Sequence, residues 1–345
     1  MGLIIHASNV HQGGGAVLLR AVLATWKDMP CLVFLDDRMQ LPEGLPTEVT
    51  VVRVRPNILA RFLAERSLRR CATVQDTVLC FGNLPPLLKL EAKVVVFLQN
   101  RFLVEKISLQ KFPVVVRLRI TLERFWLRWR RGCVDAFIVQ TPLMRSRLLQ
   151  HMGVDAAVVP FSERPMGYSR SLQVPPVGRV RKYDFIYVAT GEPHKNHRKL
   201  VEAWCLLATE GLFPSLCLTI DETKSVELYR WVDNKKNQFS LKIENLGVLT
   251  HDKTILLYSE AQALIYPSTL ESFGLPLIEA RQAGLPVLAS ELDYVRDVLD
   301  PEQAFDPESP LSIARAVKRF MGFNDDPLPL INAVDFMKYI LDKCE

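Results

Sequence analysis

Short apolar runs recur along the chain, spaced so that one helix fits between most neighbours. Residues 3–7, 31–35, 49–54, 77–81, 94–98 and 133–139 are such runs. Their lengths predict buried strands, and 154–160 closes the series. Apolar positions at helical spacing predict helices over 16–27 and 57–71, and from Thr141-Pro142 to His151. A second series follows. Strands are expected at 184–189, 216–220, 241–249, 262–268, 286–290 and 304–305, and helices at 196–208, 253–261, 277–283, 294–299 and 311–320. Strands alternating with helices build parallel sheets through crossover connections. The pattern therefore predicts two Rossmann-like α/β domains.

The boundaries follow from the same reading. Residues 1–165 form the first domain and 183–322 the second. Pro165, Pro175, Pro176 and Gly178 mark 166–182 as a linker. Residues 323–345 carry an amphipathic helix at 331–341. A length of 345 residues suits two domains, and 49% hydrophobic residues can fill two cores. No run of about 18 uncharged apolar residues predicts a spanning helix. The start, MGLIIHASNV, reads as a strand without a basic leader, so no signal peptide is expected. The seven cysteines contain no CxxC pair, which argues against disulfides and structural zinc and for a reducing cytosol.

Charge divides the chain. Residues 1–175 hold 24 Lys and Arg against 13 Asp and Glu, while 176–345 hold 19 against 25. A basic first half suggests that this half meets an anionic surface. The densest stretch is 112–131, FPVVVRLRITLERFWLRWRR, where bases alternate with apolar and aromatic residues. A basic amphipathic helix suits a membrane interface. Arg117, Arg124, Trp126, Arg128, Trp129, Arg130 and Arg131 are its expected membrane contacts. The chain shows no nucleic-acid motif, and none is expected as a partner.

Candidate chemistry concentrates at 262–290, QALIYPSTLESFGLPLIEARQAGLPVLAS. A strand runs into a small polar loop, and Pro276 opens a helix. Free N–H groups at Phe273, Gly274 and Leu275 then face an anion. Glu271 lies in the loop and Glu279 inside the helix. A carboxylate accepts two hydroxyls at once, a common grip on a sugar or ribose. In the second domain, Lys195 stands at a helix N-terminus beyond a strand's carboxyl end, which suits a phosphate.

Glu271 and Glu279, with SFGLPLI between, resemble the Glu-x7-Glu signature of retaining glycosyltransferases with the GT-B fold. The resemblance implies two Rossmann-like domains facing a cleft, with the C-terminal helix crossing back to the first. It implies transfer of a sugar from a UDP- or GDP-sugar, GDP-mannose among them, to a glycan or lipid-linked saccharide, with retained anomeric configuration. Glu279 would hold ribose hydroxyls and Glu271 would face the donor sugar. Ser272, Phe273, Gly274 and Leu275 would contact sugar and diphosphate. Lys195-Asn196 matches a diphosphate-binding pair, with Thr190 and Gly191 in the same loop. Thr190 stands where the family often has an arginine, and His194 or His197 is a candidate substitute. Gly13, Gly14 and Gly15 would border the cleft. Gln99 and Asn100 occupy the place of a common histidine and would meet the acceptor. In the family the leaving phosphate takes the acceptor proton. The chain has no Asp-x-Asp triplet, so neither a metal nor another cofactor is expected. The setting implied is bacterial cell-surface polysaccharide or lipopolysaccharide assembly, with the protein cytoplasmic and bound peripherally to the inner membrane face.

Three alternatives remain open on sequence. A nucleotide-sugar epimerase would use the same fold without an acceptor. An NAD-dependent oxidoreductase would use Gly13–Gly15 and Asp36, about 20 residues on, for a dinucleotide, although Leu18 stands where the third glycine belongs. A non-catalytic membrane-surface protein would be built around 112–131.

Overall fold

The apolar runs form two separate sheets, and every strand pairing in both is parallel. The computed structural model describes residues 2–26, 30–42, 44–105, 107–110, 112–162 and 181–323. The first sheet has seven strands: β1 (Leu3–Ala7), β2 (Cys31–Asp36), β3 (Val49–Val54), β4 (Thr77–Cys80), β5 (Lys93–Phe97), β6 (Ala136–Val139) and β7 (Ala157–Val158). The second has six: β8 (Tyr183–Tyr187), β9 (Leu216–Leu218), β10 (Ile243–Asn245), β11 (Ala261–Tyr266), β12 (Val287–Ser290) and β13 (Gln303–Phe305). Their orders are β3-β2-β1-β4-β5-β6-β7 and β10-β9-β8-β11-β12-β13. Each order reverses once, between β1 and β4 and between β8 and β11. Connections diverge at such a point and open a crevice at the strands' carboxyl ends.

The helices of the first domain are α1 (Gly13–Thr25), α2 (Ile58–Cys71), α3 (Arg101–Val104), α4 (Val114–Arg130) and α5 (Pro142–Met152). Those of the second are α6 (His197–Thr209), α7 (Val226–Phe239), α8 (His251–Ser259), α9 (Leu275–Gln282), α10 (Asp293–Arg296) and α11 (Pro310–Phe320). Helix α7 escaped the sequence pattern because Val232 is its one buried residue. Its other core-facing apolar residues, Leu228, Trp231 and Phe239, are only partly buried and are interrupted by polar ones, so the stripe is weak. Helix α1 begins at Gly13 rather than Ala16, so the glycines form its first turn. Most of the expected linker, residues 166–180, and the expected helix at 331–341 lie outside the described residues.

Helix α1 packs Leu18, Leu19 and Leu23 on one face of the first sheet. Helices α2, α4 and α5 cover the other face and share one core with Leu68, Leu127 and Leu148. Helix α4 carries two apolar faces. Ile120 and Leu127 are buried, whereas Leu118, Leu122, Phe125 and Trp129 are exposed. Several of its bases turn inward. Arg124 donates to the carbonyls of Phe102 at 2.6 Å and Glu105 at 2.8 Å. Arg130 donates to the Pro86 carbonyl at 3.2 Å, and Arg131 to that of Met152 at 2.5 Å. The Trp126 indole nitrogen is buried, and Arg128 is half-buried. This corrects the expectation that Arg124, Trp126 and Arg130 face a membrane, whereas Arg131, just past the helix end, stays exposed. Those arginines answer carbonyls left open in their own domain, while Arg117 and Trp129 point outward.

The two faces of α4 should respond differently to truncation. Leu127→Ala should destabilise the protein by about 2–5 kcal/mol through the cavity it leaves. Leu122→Ala should change stability by no more than about 0.5 kcal/mol. Urea unfolding of both variants checks this, and equal effects would contradict the assignment of faces.

Candidate functional site

The carboxyl ends of the two sheets face each other across a cavity of about 690 Å³. Gly13, Gly14 and Gly15 enter it from α1, and Gln99 from the end of β5. Across from them stand Thr190 and Lys195 beyond β8, Glu271 to Leu275 beyond β11, and Glu279 in α9. No side chain caps the N-terminus of α1, α6 or α9. Side chains cap α2, α5, α8 and α11, while α4, α7 and α10 are also uncapped. Uncapped ends beside the cavity keep N–H groups and positive dipole ends for an anionic ligand. Gly274 makes the α9 start possible with φ +76°, where a side chain would be strained. Gly14 permits close approach of the domains, since a Cβ there would lie 2.9 Å from Leu275 Cδ1.

Lys195 and Glu271 meet at the centre. Lys195 Nζ donates to Glu271 Oε1 at 2.6 Å, and both side chains are nearly shielded from water. The Tyr266 hydroxyl donates to the same oxygen at 2.8 Å. Burial opposes ionisation of Glu271. The Lys195 charge and hydrogen bond, with lesser help from His194 and Ser268, outweigh burial and lower the carboxyl's pKa. The Tyr187 hydroxyl donates to the Lys195 carbonyl at 2.6 Å and fixes the backbone beneath the pair. Glu279 accepts from the Tyr258 hydroxyl at 3.0 Å and lies 3.9 Å from His251 Nδ1.

A smaller cavity of about 270 Å³ adjoins the first, and Gly15, Gln99, Glu271 and Ser272 border both. Asn100, Arg101, Phe102 and His194 line it. Its wall is set by Asn83, which sequence reasoning missed. Asn83 Oδ1 accepts the N–H groups of Gln99 at 2.5 Å and Asn100 at 2.9 Å. The available signal was an asparagine after a glycine at a strand end; Asn83 adopts φ +70°, a region asparagine tolerates.

Two expected site residues lie outside the cavities. The Asn196 amide donates to the carbonyls of Pro267 at 3.1 Å and Pro307 at 2.7 Å, which ties the loops together. Gly191 packs on Ser225, where a Cβ would come within 2.1 Å of Oγ. Burial works against either histidine as a cation in place of the missing arginine. Burial, reinforced by the Lys195 charge, lowers His194 to about 4 and His197 to about 3. The dinucleotide alternative loses its ribose acid. Asp36 is fully buried and receives two bonds from the Arg38 guanidinium, at 2.9 and 2.8 Å. Arg20, Thr219, Val248, His251 and Thr254 also line the large cavity and were not anticipated. Thr219 and Val248 lie just beyond a strand's carboxyl end, which is the available signal, whereas Arg20, His251 and Thr254 come from helices.

The Lys195–Glu271 balance can be tested through pH. In the wild type the folded pKa of Glu271 lies below its ordinary 4.5. The pair therefore contributes stability that is present above pH 4.5 and lost as pH falls through the folded value. In Lys195→Met, burial acts with less opposition and should lift the carboxyl above 4.5. Stability then falls as pH rises through the raised value. Urea unfolding across the acid range, with the carboxyl followed by infrared absorption, reads both slopes. A Lys195→Met slope of wild-type sign would refute the balance.

Comparison with known proteins places this geometry in context. Residues 175–331 match the sequence profile of the family described as Glycosyl transferases group 1. The serotype-specific mannosyltransferase WbdA of Escherichia coli is 32% identical over 140 residues, which is 40% of this chain. That match spans 17% of WbdA, so the chain covers less than a fifth of this relative. Among solved structures, Anabaena Alr3699/HepE, in complex with UDP and glucose, superposes with a TM-score of 0.65 at 14% identity. The alignment covers 92% of this chain and 89% of that one. A UDP-forming α,α-trehalose-phosphate synthase from Burkholderia vietnamiensis gives 0.66 at 11% identity, covering 95% and 92%. The architecture is therefore GT-B: two parallel-sheet α/β domains that meet at one cleft.

Proposed function

We propose that the protein transfers a sugar from a nucleotide-sugar donor to a glycan or lipid-linked saccharide, with retention of anomeric configuration. The observation that carries this reading is the Lys195–Glu271 pair, held between two adjoining cavities and beside uncapped helix ends. The match to group 1 glycosyl transferases over the second domain supports it, as does the name of the mannosyltransferase relative. The larger cavity, about 690 Å³, has the size of a small-molecule site, which supports a nucleotide-sugar donor.

In this reading the Glu279 carboxylate, steadied by Tyr258, accepts the ribose hydroxyls. Glu271 faces the donor sugar. Lys195 and the N–H groups at Phe273 to Leu275 meet the diphosphate, whose charge grows as the bond from C1 to its oxygen breaks. The acceptor hydroxyl enters from the smaller cavity, past Gln99 and Asn100. It bonds to C1 on the face that the diphosphate leaves, and its proton passes to the leaving phosphate oxygen. The cationic help comes from Lys195 and the backbone, without a metal. The polysaccharide setting, the lipid-linked acceptor and an anionic membrane surface near the first domain belong to the same proposal.

Three substitutions separate the roles. Glu279→Ala should weaken binding of the nucleoside diphosphate by about 1.5–3 kcal/mol, the usual worth of hydrogen bonds to a charged group. Calorimetry showing unchanged affinity would count against a ribose contact. Lys195→Ala should lower kcat more than it raises KM, because the charge it meets grows at the transition state. A loss confined to KM would show uniform binding instead. Glu271→Ala should cut turnover while leaving nucleotide affinity nearly intact, and equal turnover would end its assignment to the donor sugar.

A further inference from the structure

The first domain exposes apolar side chains where a water-facing helix carries polar ones. On α4, Leu118, Leu122, Phe125 and Trp129 recur at steps of four, three and four and so form one stripe. Phe125 is 67% exposed and Trp129 62%. Helix α2 does the same in its first two turns, with Ile58 90% and Leu59 68% exposed, beside Phe62 and Leu63. The two helices cover the same face of the sheet and share one core, so their outer faces look the same way. Arg66, Arg69 and Arg70 are exposed on α2, and Arg117 and Arg119 on α4. The acids of these helices offset only one of them. Glu65 is buried, and Glu123 lies 3.9 Å from Arg119.

We infer that the outer faces of α2 and α4 together insert into an anionic lipid surface. Their apolar side chains enter the acyl boundary, and the arginines sit at headgroup level. This deepens, and rests on, the membrane-linked part of the proposed function. An apolar patch with a basic rim matches a bilayer in both parts of its chemistry. A second copy of the chain is a poor occupant, because a two-fold contact would set two basic faces against each other. Among the described residues no helix is long and apolar enough to cross a membrane, so the contact lies in the interface plane. Arginines that merely attract would need only charge. Eight exposed apolar side chains on two helices add burial, which salt does not screen.

The test uses the full chain with vesicles of phosphatidylcholine, alone or mixed with phosphatidylglycerol. Trp129 is read from the emission difference between wild type and Trp129→Phe. On mixed vesicles its emission should shift to the blue and be quenched by bromine-labelled acyl chains. Leu59→Ser with Phe62→Ser should weaken co-sedimentation by about tenfold or more, and so should Leu122→Ser with Phe125→Ser. Arg66, Arg69 and Arg70 changed together to Gln should abolish the preference for phosphatidylglycerol. Binding without acyl-chain quenching would show adsorption by charge alone and overturn insertion. Binding untouched by the α2 substitutions would remove α2 from the surface. Trp129 shielded from iodide before vesicles are added would mean that a second copy, or another part of the chain, covers this face, and would also overturn it. Nucleoside diphosphate binding without vesicles is measured alongside. Its persistence in these variants keeps failure of insertion distinct from failure of the sugar-transfer reading.

Discussion

A nearly dry ion pair between Lys195 and Glu271 is the constraint on which the cleft depends. Two charges removed from water are costly unless each is paired and its remaining bonds are answered. Here the loops beyond β8 and β11 answer them. Tyr266 adds a second bond to Glu271, and Tyr187 holds the Lys195 carbonyl. Asn196 bonds Pro267, and the His194 carbonyl accepts the Thr269 N–H at 2.8 Å. The strand order places these loops side by side, because β8 and β11 are neighbours at the reversal of the second sheet.

The first domain completes the site by contact. The Arg101 N–H donates to Ser272 Oγ at 3.0 Å, and Phe102 meets the His194 ring edge-on at 5.3 Å. Arg124 of α4 holds the carbonyls of Phe102 and Glu105, so the helix with the exposed apolar stripe also braces the segment that touches the second domain. The exposed apolar face of α4 and the cleft are thus neighbours through a few residues. Asn83 plays the same part beneath Gln99 and Asn100.

Much of this was legible in the sequence, and the failures have physical causes. Parallel strands buried on both faces read as apolar runs, so all thirteen strands described fall inside or across the apolar ranges, β7 within 154–160. Glu271, Lys195 and Glu279 reach one cavity because each lies near a strand's carboxyl end. The sequence did not reveal that Asn196 serves the loops, because an amide that binds a phosphate and one that ties two carbonyls look the same in one dimension. It did not separate the arginines of α4 by direction. Arg124 and Arg117 have the same charge and helix, but one faces open carbonyls and the other faces water. Asp36 misled for a related reason. Its spacing from the glycines suits a dinucleotide, but Arg38 two residues on already holds it.

We propose that the cleft around Lys195 and Glu271 receives a nucleoside diphosphate carrying a sugar. Calorimetric titration of the full chain with UDP, GDP, their sugar conjugates and NAD tests it most directly. The account predicts that one nucleoside diphosphate and its sugar conjugate bind at one site per chain, while NAD gives no saturable heat. Saturable NAD binding with silence from every nucleoside diphosphate would contradict it.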